Sequence, residues 1–396
     1  MSTDQLPFAS APDQLVATAI EATGLDDFGA DTWQEGLDRL VVDLAENGHL
    51  HELGVAVAEG EIVAYLSNRL GIIEWRKTHP AVAEGRIDRP LVIVDQPRTG
   101  TTILYDLLAQ DPAHRAPLAW EIDRPLPPPT TATYETDLRI DEVQATIDMA
   151  DSLIPGFTAF HPMGARLAQE CVRITGSDFR SIIFSTQYHA PEYNRWVLHE
   201  ADLSPAYRWH RMFLQHLQSE HPGDRWLLKS PAHQWHLGPL LAEYPDAVVV
   251  QTHRDPLKVV ASVSALMAHL RQMCSDDTSI AEAAAGYADD NFVGLDRSMQ
   301  ARIDGTLPAG QVADVQFTDF VADPLAAIGA LYDQLGMELT AEAESRMRTF
   351  LAEHPGDGGG GGSRYTFADT GLDADELRQR SRAYQEHFGV ASEPVT

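Results

Sequence analysis

The chain has 396 residues, 44% of them hydrophobic, and a formal net charge of −30. This length and composition suit a soluble globular protein with one large α/β domain, or with one domain and an added subdomain. The negative charge argues against a nucleic-acid partner, because phosphate backbones are bound by Lys and Arg in bulk, and no apolar run approaches the roughly 20 residues that a transmembrane segment needs.

The first 85 residues are predicted to be helical. Their beginning lacks the charged-then-apolar pattern of a signal peptide, so we expect a cytoplasmic protein. Asp31 is a candidate N-cap for a helix that Gly48 ends, and a longer helical pattern covers about residues 50–75. We therefore predict an N-terminal helical cap over residues 1–85, packed on the domain that follows.

A strand, a tight loop and a helix follow this cap. Leu91–Val94 is a short apolar run typical of a strand buried on both faces, and Pro97 ends it. The spacing of apolar residues then predicts a helix over Thr101–Gln110. The first N–H groups of such a helix, with Arg98 and the loop hydroxyls, can bind an anion. The loop has one Gly, and its cation precedes that Gly, so it departs from the usual nucleotide-triphosphate pattern.

A long insertion comes next. Trp120-Glu121 precedes a Pro-rich connector, Pro125–Pro129, which predicts a stiff extended passage. Residues 122–224 form the predicted insertion, and helices are expected in it near 141–153, 177–185 and 206–217. Its aromatic residues include Phe157, Phe160, Phe179, Phe184, Tyr188, Tyr193, Trp196, Tyr207, Trp209 and Phe213. They indicate either an ordinary helical core or the apolar lining of a pocket for a hydrophobic acceptor.

Two further strands carry cations to their carboxyl ends. The strand at Trp226–Leu228 leads into Lys229 and His233, and the strand at Val248–Val250 leads to Arg254. Pro256 is placed to open a helix that carries Ser262. Ligands of open α/β sheets bind at the carboxyl edge of the strands. The sequence therefore predicts an α/β domain over residues 86–396, with a P-loop-like central parallel sheet flanked by helices and a cationic site at one edge.

The remainder of the chain is predicted to be mostly helical. A strand is expected at Val312–Phe317, a helix at Pro324–Leu335, and a last helix at about Asp375–Phe388. The run Gly358–Gly362 predicts a mobile loop. The two cysteines, Cys171 and Cys274, lie far apart in the sequence and predict buried thiols rather than a disulfide.

These motifs together resemble the sulfotransferase family. Pro97–Thr102 is similar to its 5′-phosphosulfate loop, and Arg254 with Ser262 eight residues later is similar to its 3′-phosphate site. Lys229–His233 and Trp120-Glu121 resemble the bacterial branch of the family. The likeness covers roughly residues 88 to 390. It departs from the family in the loop cation, which is Lys in many cytosolic members, and in the glycine run where the family has a cofactor-covering loop.

The resemblance implies sulfuryl transfer from 3′-phosphoadenosine 5′-phosphosulfate (PAPS) to a hydroxyl, with 3′-phosphoadenosine 5′-phosphate (PAP) as product and no metal. Arg98 and the loop amides would hold the 5′-phosphate and the sulfonate, Lys229 would stabilise the leaving group, and Arg364 would close over the cofactor. The cofactor-binding residues implied in this way are Arg98, Thr99, Gly100, Thr101, Thr102, Arg254, Ser262, Arg364 and Tyr365. The acceptor is expected to be a hydrophobic small molecule or a lipid.

Two residues are candidates for the base that takes the proton of the acceptor. Glu121 resembles the glutamate that follows the phosphosulfate loop in tyrosylprotein-type and some bacterial sulfotransferases. His233 lies near the position of the histidine in the cytosolic enzymes, but two residues later than their Lys-x-His spacing. With Arg98 and Lys229, these two complete the set of predicted catalytic residues, and Glu121 is the preferred base.

Other functions fit the sequence less well. A kinase or P-loop phosphotransferase needs the Walker lysine and a Mg²⁺-holding carboxylate, usually an Asp that ends a neighbouring strand. The strand at Val248–Val250 continues into Gln251-Thr252-His253 instead. A dinucleotide-dependent oxidoreductase needs G-x-G-x-x-G after a strand, which the sequence lacks. A non-catalytic protein with this fold is a third alternative. The sequence identifies neither the acceptor nor the oligomeric state.

Overall fold

The computed structural model describes residues 8–94, 96–153, 163–354 and 365–395. The chain forms two compact units. The first comprises Met1–Ile87, Pro117–Pro222 and Met267–Thr278, and the second comprises Asp88–Ala116, Gly223–Leu266 and Ser279–Thr396. The predicted N-terminal cap and nearly all of the predicted insertion therefore lie in the first unit, and the second unit is built from three separate stretches of chain.

The described elements are numbered in chain order. The helices are α1 (Pro12–Thr23), α2 (Gln34–Asn47), α3 (Glu52–Thr78), α4 (Thr101–Leu108), α5 (Ala119–Asp123), α6 (Leu138–Leu153), α7 (Cys171–Thr175), α8 (Ile183–Gln187), α9 (Pro191–His199), α10 (Ser204–Gln218), α11 (Leu237–Glu243), α12 (Pro256–Arg271), α13 (Ile280–Ile303), α14 (Phe317–Ala322), α15 (Pro324–Leu335), α16 (Ala341–Glu353) and α17 (Ala374–Phe388). The strands are β1 (Leu91–Val94), β2 (His114–Arg115), β3 (Arg225–Ser230), β4 (Val248–His253) and β5 (Val312–Gln316). Short 3₁₀ turns include Asp31–Trp33, Gly176–Asp178 and Pro231–Trp235.

The strands form one parallel sheet in the second unit, in the order β2-β3-β1-β4-β5. Strand β1 is central and buried along its whole length, which explains its unbroken apolar sequence. Its residue Ile93 lies opposite Lys229 of β3 and Val250 of β4. The predicted fold class, α/β with a central parallel sheet flanked by helices, is confirmed. Strand β2 was not predicted, because two residues are too short to show a periodic pattern.

The carboxyl ends of three adjacent strands define one edge of this sheet. The loop after β1, the end of β3 and the end of β4 all lie there, since all three strands are parallel and paired in register. Strand β3 extends to Ser230, so Lys229 belongs to the strand itself. Strand β4 extends to His253, and Arg254 follows it directly. The predicted convergence of cationic residues at this edge thus follows from the strand order.

Helix boundaries in the first unit differ from the prediction in two places. Asp31 is not an N-cap: it lies inside a 3₁₀ turn capped by Ala30, and α2 begins only at Gln34. The helix predicted over residues 177–185 is interrupted, because Phe179 has a φ of 51° that no right-handed helix accepts. The backbone there packs so closely on α2 that a Cβ at Gly36 would lie 2.1 Å from the Phe179 carbonyl oxygen. Tertiary packing therefore decides this break.

The aromatic residues of the predicted insertion form core rather than an open lining. Phe179, Phe184, Tyr188, Tyr193 and Trp196 belong to the main hydrophobic cluster of the first unit. Tyr207, Trp209 and Phe213 are also buried. Phe157 and Phe160 lie outside the described residues. The core interpretation therefore accounts for these side chains, and they give no separate argument for an apolar acceptor. Both cysteines are buried and free, as expected.

Two histidines of α10 are buried in their neutral form. His210 and His216 are fully buried, and burial lowers the pKa of His210 to about 3 and that of His216 to about 4. The unfolded chain binds these protons at the ordinary value near 6.5, so each group stabilises the fold above about 6.5 and loses that contribution as the pH falls. At pH 5, each buried histidine should lower the free energy of unfolding by about 2 kcal/mol, because a difference of one pKa unit corresponds to about 1.4 kcal/mol.

Urea unfolding at pH 7.5 and pH 5 checks this expectation. His210→Phe keeps a planar ring and removes the titrating group, so its stability should fall less between the two pH values than that of the unmodified protein. His387→Phe, at an exposed position on α17, is the matched control for replacing a histidine by phenylalanine outside the core. Equal losses in both variants would show that His210 does not contribute.

Within the described ranges, no helix is both long enough and apolar enough to cross a membrane.

Candidate active site

The loop after β1 has two residues in the left-handed region. Arg98 has a φ of 70° and Gly100 a φ of 82°, and the first is strained because it carries a side chain. The Thr99 hydroxyl donates to the Gln96 carbonyl oxygen at 2.8 Å and lies 2.6 Å from the Thr252 hydroxyl of β4. The Thr99 side chain thus fixes the loop to the neighbouring strand.

Gly100 also sets the start of α4. It is the N-cap of that helix and brings no side chain to it. A Cβ at this position would lie 3.2 Å from the ring of Phe317 and 3.3 Å from that of Phe320. Thr101 is buried and Thr102 is partly exposed in the first turn of α4. The loop therefore presents a helix N-terminus, which favours an anion, as predicted from the strand–loop–helix pattern.

The structure brings Arg98, Arg254 and Ser262 together. Arg98 Nε donates to Ser262 Oγ of α12 at 3.0 Å, and Arg254 Nη1 donates to the Arg98 carbonyl oxygen at 2.8 Å. Burial lowers the pKa of Arg98; Tyr365 opposes this shift and the nearby charge of Arg254 adds to it. The predicted 5′ loop and the predicted 3′-phosphate residues thus form one cationic cluster, and the Arg98 side chain lies at the Ser262 end of it.

Arg254 has two further partners that the sequence analysis did not anticipate. Its Nε and Nη2 donate to the two carboxylate oxygens of Glu393 at 2.9 and 3.2 Å. Its guanidinium also lies over the ring of Phe317, 3.9 Å from the centroid. Nothing in the local sequence around Glu393 indicates this contact, because the two charged residues are 139 positions apart.

Lys229 lies beside the first turn of α4. It is buried on β3, and its Nζ donates to the Thr102 hydroxyl at 3.3 Å. Asp106, one turn further along the same face of α4, is a buried carboxyl that the prediction missed. Burial raises the pKa of Asp106 to about 7, while the charges of Lys229 and His354 act in the opposite direction. The surroundings of the lysine therefore include a titratable acid.

His233 lies just beyond β3. It belongs to the 3₁₀ turn Pro231–Trp235, which Ser230 caps by accepting from the Ala232 N–H at 3.1 Å. The His233 side chain is buried. The structure therefore places His233 four residues after Lys229 on the same strand-to-turn connection, at the carboxyl edge of the sheet.

Glu121 belongs to the first unit and is fully buried. It sits in the short helix α5, where its Oε2 accepts from the Leu118 N–H at 2.9 Å and from the Tyr134 hydroxyl at 3.0 Å. The backbone of the helix start and a tyrosine thus orient this carboxylate. Tyr134 could not be found from the sequence, because no motif links it to Glu121.

The predicted cofactor-covering loop is only partly described. Arg364 and the run Gly358–Gly362 lie outside the described residues. Tyr365 is partly buried, packs beside the hydrophobic cluster that contains Leu257, and acts on the pKa of Arg98. In the part of the chain that the structure describes, no group of three or more His, Cys, Asp or Glu residues is arranged to hold a metal ion.

Comparison with known proteins gives consistent results. A family model described as "Sulfotransferase family" matches residues 90–341. The crystal structure of sulfotransferase STF1 from Mycobacterium tuberculosis H37Rv is 31% identical, with 95% of this chain and 99% of that chain covered and a TM-score of 0.83. Sulfotransferase STF9 from Mycobacterium avium is 28% identical, with 99% and 100% covered and a TM-score of 0.86.

One further relative is named after its substrate. The omega-hydroxy-beta-dihydromenaquinone-9 sulfotransferase Stf3 of Mycobacterium bovis is 25% identical over 276 residues. The match covers 67% of this chain and 68% of that protein. It therefore includes most, but not all, of both chains.

Proposed function

This chain belongs to the sulfotransferase family, and we propose that it transfers the sulfuryl group of PAPS to a hydroxyl of a hydrophobic small molecule or lipid. The observation that carries this proposal is the cluster of Arg98, Arg254 and Ser262 beside the start of α4. In a chain of net charge −30, two guanidinium groups held this close favour a ligand with several negative charges.

The loop fits such a donor in shape as well as in charge. Gly100 takes the left-handed conformation that starts α4, and its missing side chain lets the rings of Phe317 and Phe320 pack against the loop, so the loop can hold its amides towards a phosphate. Arg254 and the Ser262 hydroxyl supply donors for the 3′-phosphate, and the first turn of α4, with Thr101 and Thr102, supplies donors for the 5′ end. Arg364 and Tyr365 complete the proposed cofactor-binding set.

The proposed chemistry forms a bond between sulfur and the acceptor oxygen and breaks the bond between sulfur and the bridging phosphate oxygen. Lys229, placed at the first turn of α4 by its contact with Thr102, stabilises the charge that grows on the leaving phosphate. Arg98, whose Nε donates to Ser262 Oγ in this structure, is the second cation that we propose for this charge. Glu121, already oriented by Leu118 and Tyr134, takes the acceptor proton; His233 is the alternative base.

The acceptor class rests on the relative Stf3, whose name gives a hydroxylated menaquinone as its substrate. We infer that this chain also takes a hydrophobic alcohol. Incubation with ³⁵S-labelled PAPS and a panel of hydroxylated quinones, sterols, phenols and lipid alcohols, with products identified by mass spectrometry, tests this. Binding of the donor without a sulfated product from any acceptor would favour a non-catalytic protein. The cytoplasmic location stays a prediction of the sequence.

A binding measurement tests the donor site directly. The protein should bind PAP more tightly than AMP by about 1.5–3 kcal/mol, because the 3′-phosphate adds charge-assisted hydrogen bonds. The preference should persist in EDTA. Ser262→Ala should weaken binding of PAP more than binding of AMP. Ser264→Ala is the matched control, since this buried serine of the same helix donates to the Val260 carbonyl oxygen.

Isothermal titration calorimetry of PAP and AMP with the unmodified protein, Ser262→Ala and Ser264→Ala measures these affinities. Equal affinity for PAP and AMP in the unmodified chain, or affinity that disappears with EDTA, contradicts the proposed donor.

A further inference from the structure

The phosphate-binding edge of Arg254 already holds an anion in this structure. Arg254 Nε and Nη2 form the bidentate edge with which a guanidinium binds a carboxylate or a phosphate. Glu393 occupies this edge with both carboxylate oxygens, at 2.9 and 3.2 Å. The third nitrogen, Nη1, donates to the Arg98 carbonyl oxygen at 2.8 Å. A 3′-phosphate therefore cannot use the same edge while Glu393 remains in place.

The C-terminal segment that carries Glu393 is anchored by specific contacts. The Glu393 N–H donates to Asp255 Oδ2 at 2.6 Å. Arg378 of α17 donates to Asp255 Oδ1 at 2.8 Å and to the Glu393 carbonyl oxygen at 3.4 Å. Val390 is buried in the cluster that contains Leu257, and Gln385 Nε2 donates to the Ser392 hydroxyl at 3.2 Å. Asp255, the residue after Arg254, therefore holds the segment against Arg254.

The ion pair is partly exposed to solvent, although the Asp255 carboxylate that anchors the segment is buried. The side chains of Arg254 and Glu393 are 20% and 22% exposed, whereas that of Asp255 is fully buried. A partly exposed ion pair contributes little free energy, because both ions are still hydrated. A phosphate dianion carries more charge than a carboxylate and can displace it, provided that the segment beyond Val390 moves away.

We propose that the C-terminal segment, residues 391–395, is an internal competitor for the 3′-phosphate subsite, with Glu393 in the place of the phosphate. This inference rests on the proposed function, because it requires that Arg254 binds that phosphate. In the absence of nucleotide, Glu393 neutralises Arg254 and so reduces its repulsion with Arg98. Binding of a 3′-phosphorylated nucleotide releases the segment, and a nucleotide without that phosphate leaves it in place.

Glu393→Gln tests the competition, because it keeps the size of the side chain and removes its charge. The affinity for PAP should rise about threefold to tenfold, the range expected for loss of a partly exposed ion pair, and the affinity for AMP should not change. Glu386→Gln, at an exposed position on α17, is the matched control and should leave both affinities unchanged. Calorimetry at fixed ionic strength gives the values, and thermal melting confirms that each variant is folded.

Hydrogen exchange gives a second readout. The amide of Glu393 should lose protection when PAP is added and keep it with AMP.

The outcomes separate the two proposals. Weaker PAP binding in Glu393→Gln would make Glu393 a positioning residue for Arg254 and overturn the competition. Equal PAP binding in both variants and in the unmodified chain, with the segment still protected, would also overturn it and leave the donor assignment intact. Failure of all three proteins to prefer PAP over AMP would overturn the donor assignment and the competition together.

Discussion

Glu121→Gln is expected to lower turnover about 10²–10⁴-fold, the usual contribution of a general base, because the amide keeps the shape of the side chain and cannot accept a proton. The described hydrogen bonds of the Glu121 carboxylate can also be accepted by the amide of Gln. Glu121 Oε2 accepts from the Leu118 N–H and from the Tyr134 hydroxyl, and the amide oxygen of Gln can accept both. The fold around α5 should therefore be retained.

His233→Ala is the counterpart that separates the two candidate bases. If Glu121 takes the proton, the histidine change should mainly disturb the turn Pro231–Trp235 and cost less activity. Tyr134→Phe should give an intermediate loss, because it removes one of the donors that orient Glu121 and leaves the base in place.

Single-turnover rates at saturating donor measure the chemical step without interference from product release. Near-normal rates in Glu121→Gln together with a collapse in His233→Ala would transfer the role to the histidine. Substantial activity in both variants would exclude both as the base.

Lys229→Ala and Arg98→Ala are each expected to reduce kcat about 10²–10³-fold, the size of effect seen when one charge-stabilising donor is removed. Lys229 is held at the first turn of α4 through Thr102, and Arg98 is held at Ser262. If these cations act on charge that grows in the transition state, the affinity for PAP should change less than the rate.

Lys77→Ala is the control for loss of a positive charge. Lys77 lies in the first unit, is about half exposed and pairs with Asp27, so its removal should leave turnover unchanged. Measuring kcat, the KM for the donor and the Kd for PAP in all three variants shows whether Lys229 and Arg98 act in the transition state. A loss confined to the KM for the donor would show that Lys229 and Arg98 only bind it.

The residues that the sequence could identify are those whose signal is local. The apolar run Leu91–Val94, the loop with Gly100 and the helix after it lie within about twenty consecutive residues, and each follows from backbone sterics and side-chain period. Lys229 and Arg254 were found in the same way, since each ends or follows an apolar strand. Parallel strands bring their carboxyl ends to one edge, and so the sequence predicts their convergence.

Whether an aromatic residue lines a pocket or fills a core depends on distant parts of the chain. The aromatics of the predicted insertion have the same spacing whether they line a pocket or fill a core. The structure shows the described ones in the core of the first unit. Burial is a property of what packs against a side chain, and no local pattern contains it.

By itself, the sequence determined the α/β class, the loop between β1 and α4 and the cations at the strand ends, because these depend on short-range periodicity and on the geometry common to all parallel sheets. Only the tertiary structure decided which partners the charged side chains meet. Arg98 reaches Ser262 across 164 positions, and Glu393 reaches Arg254 across 139. The physical reason is that a charged side chain on a loop or at a chain end has no periodicity that specifies its partner. Its partner is set by where the packed elements carry it.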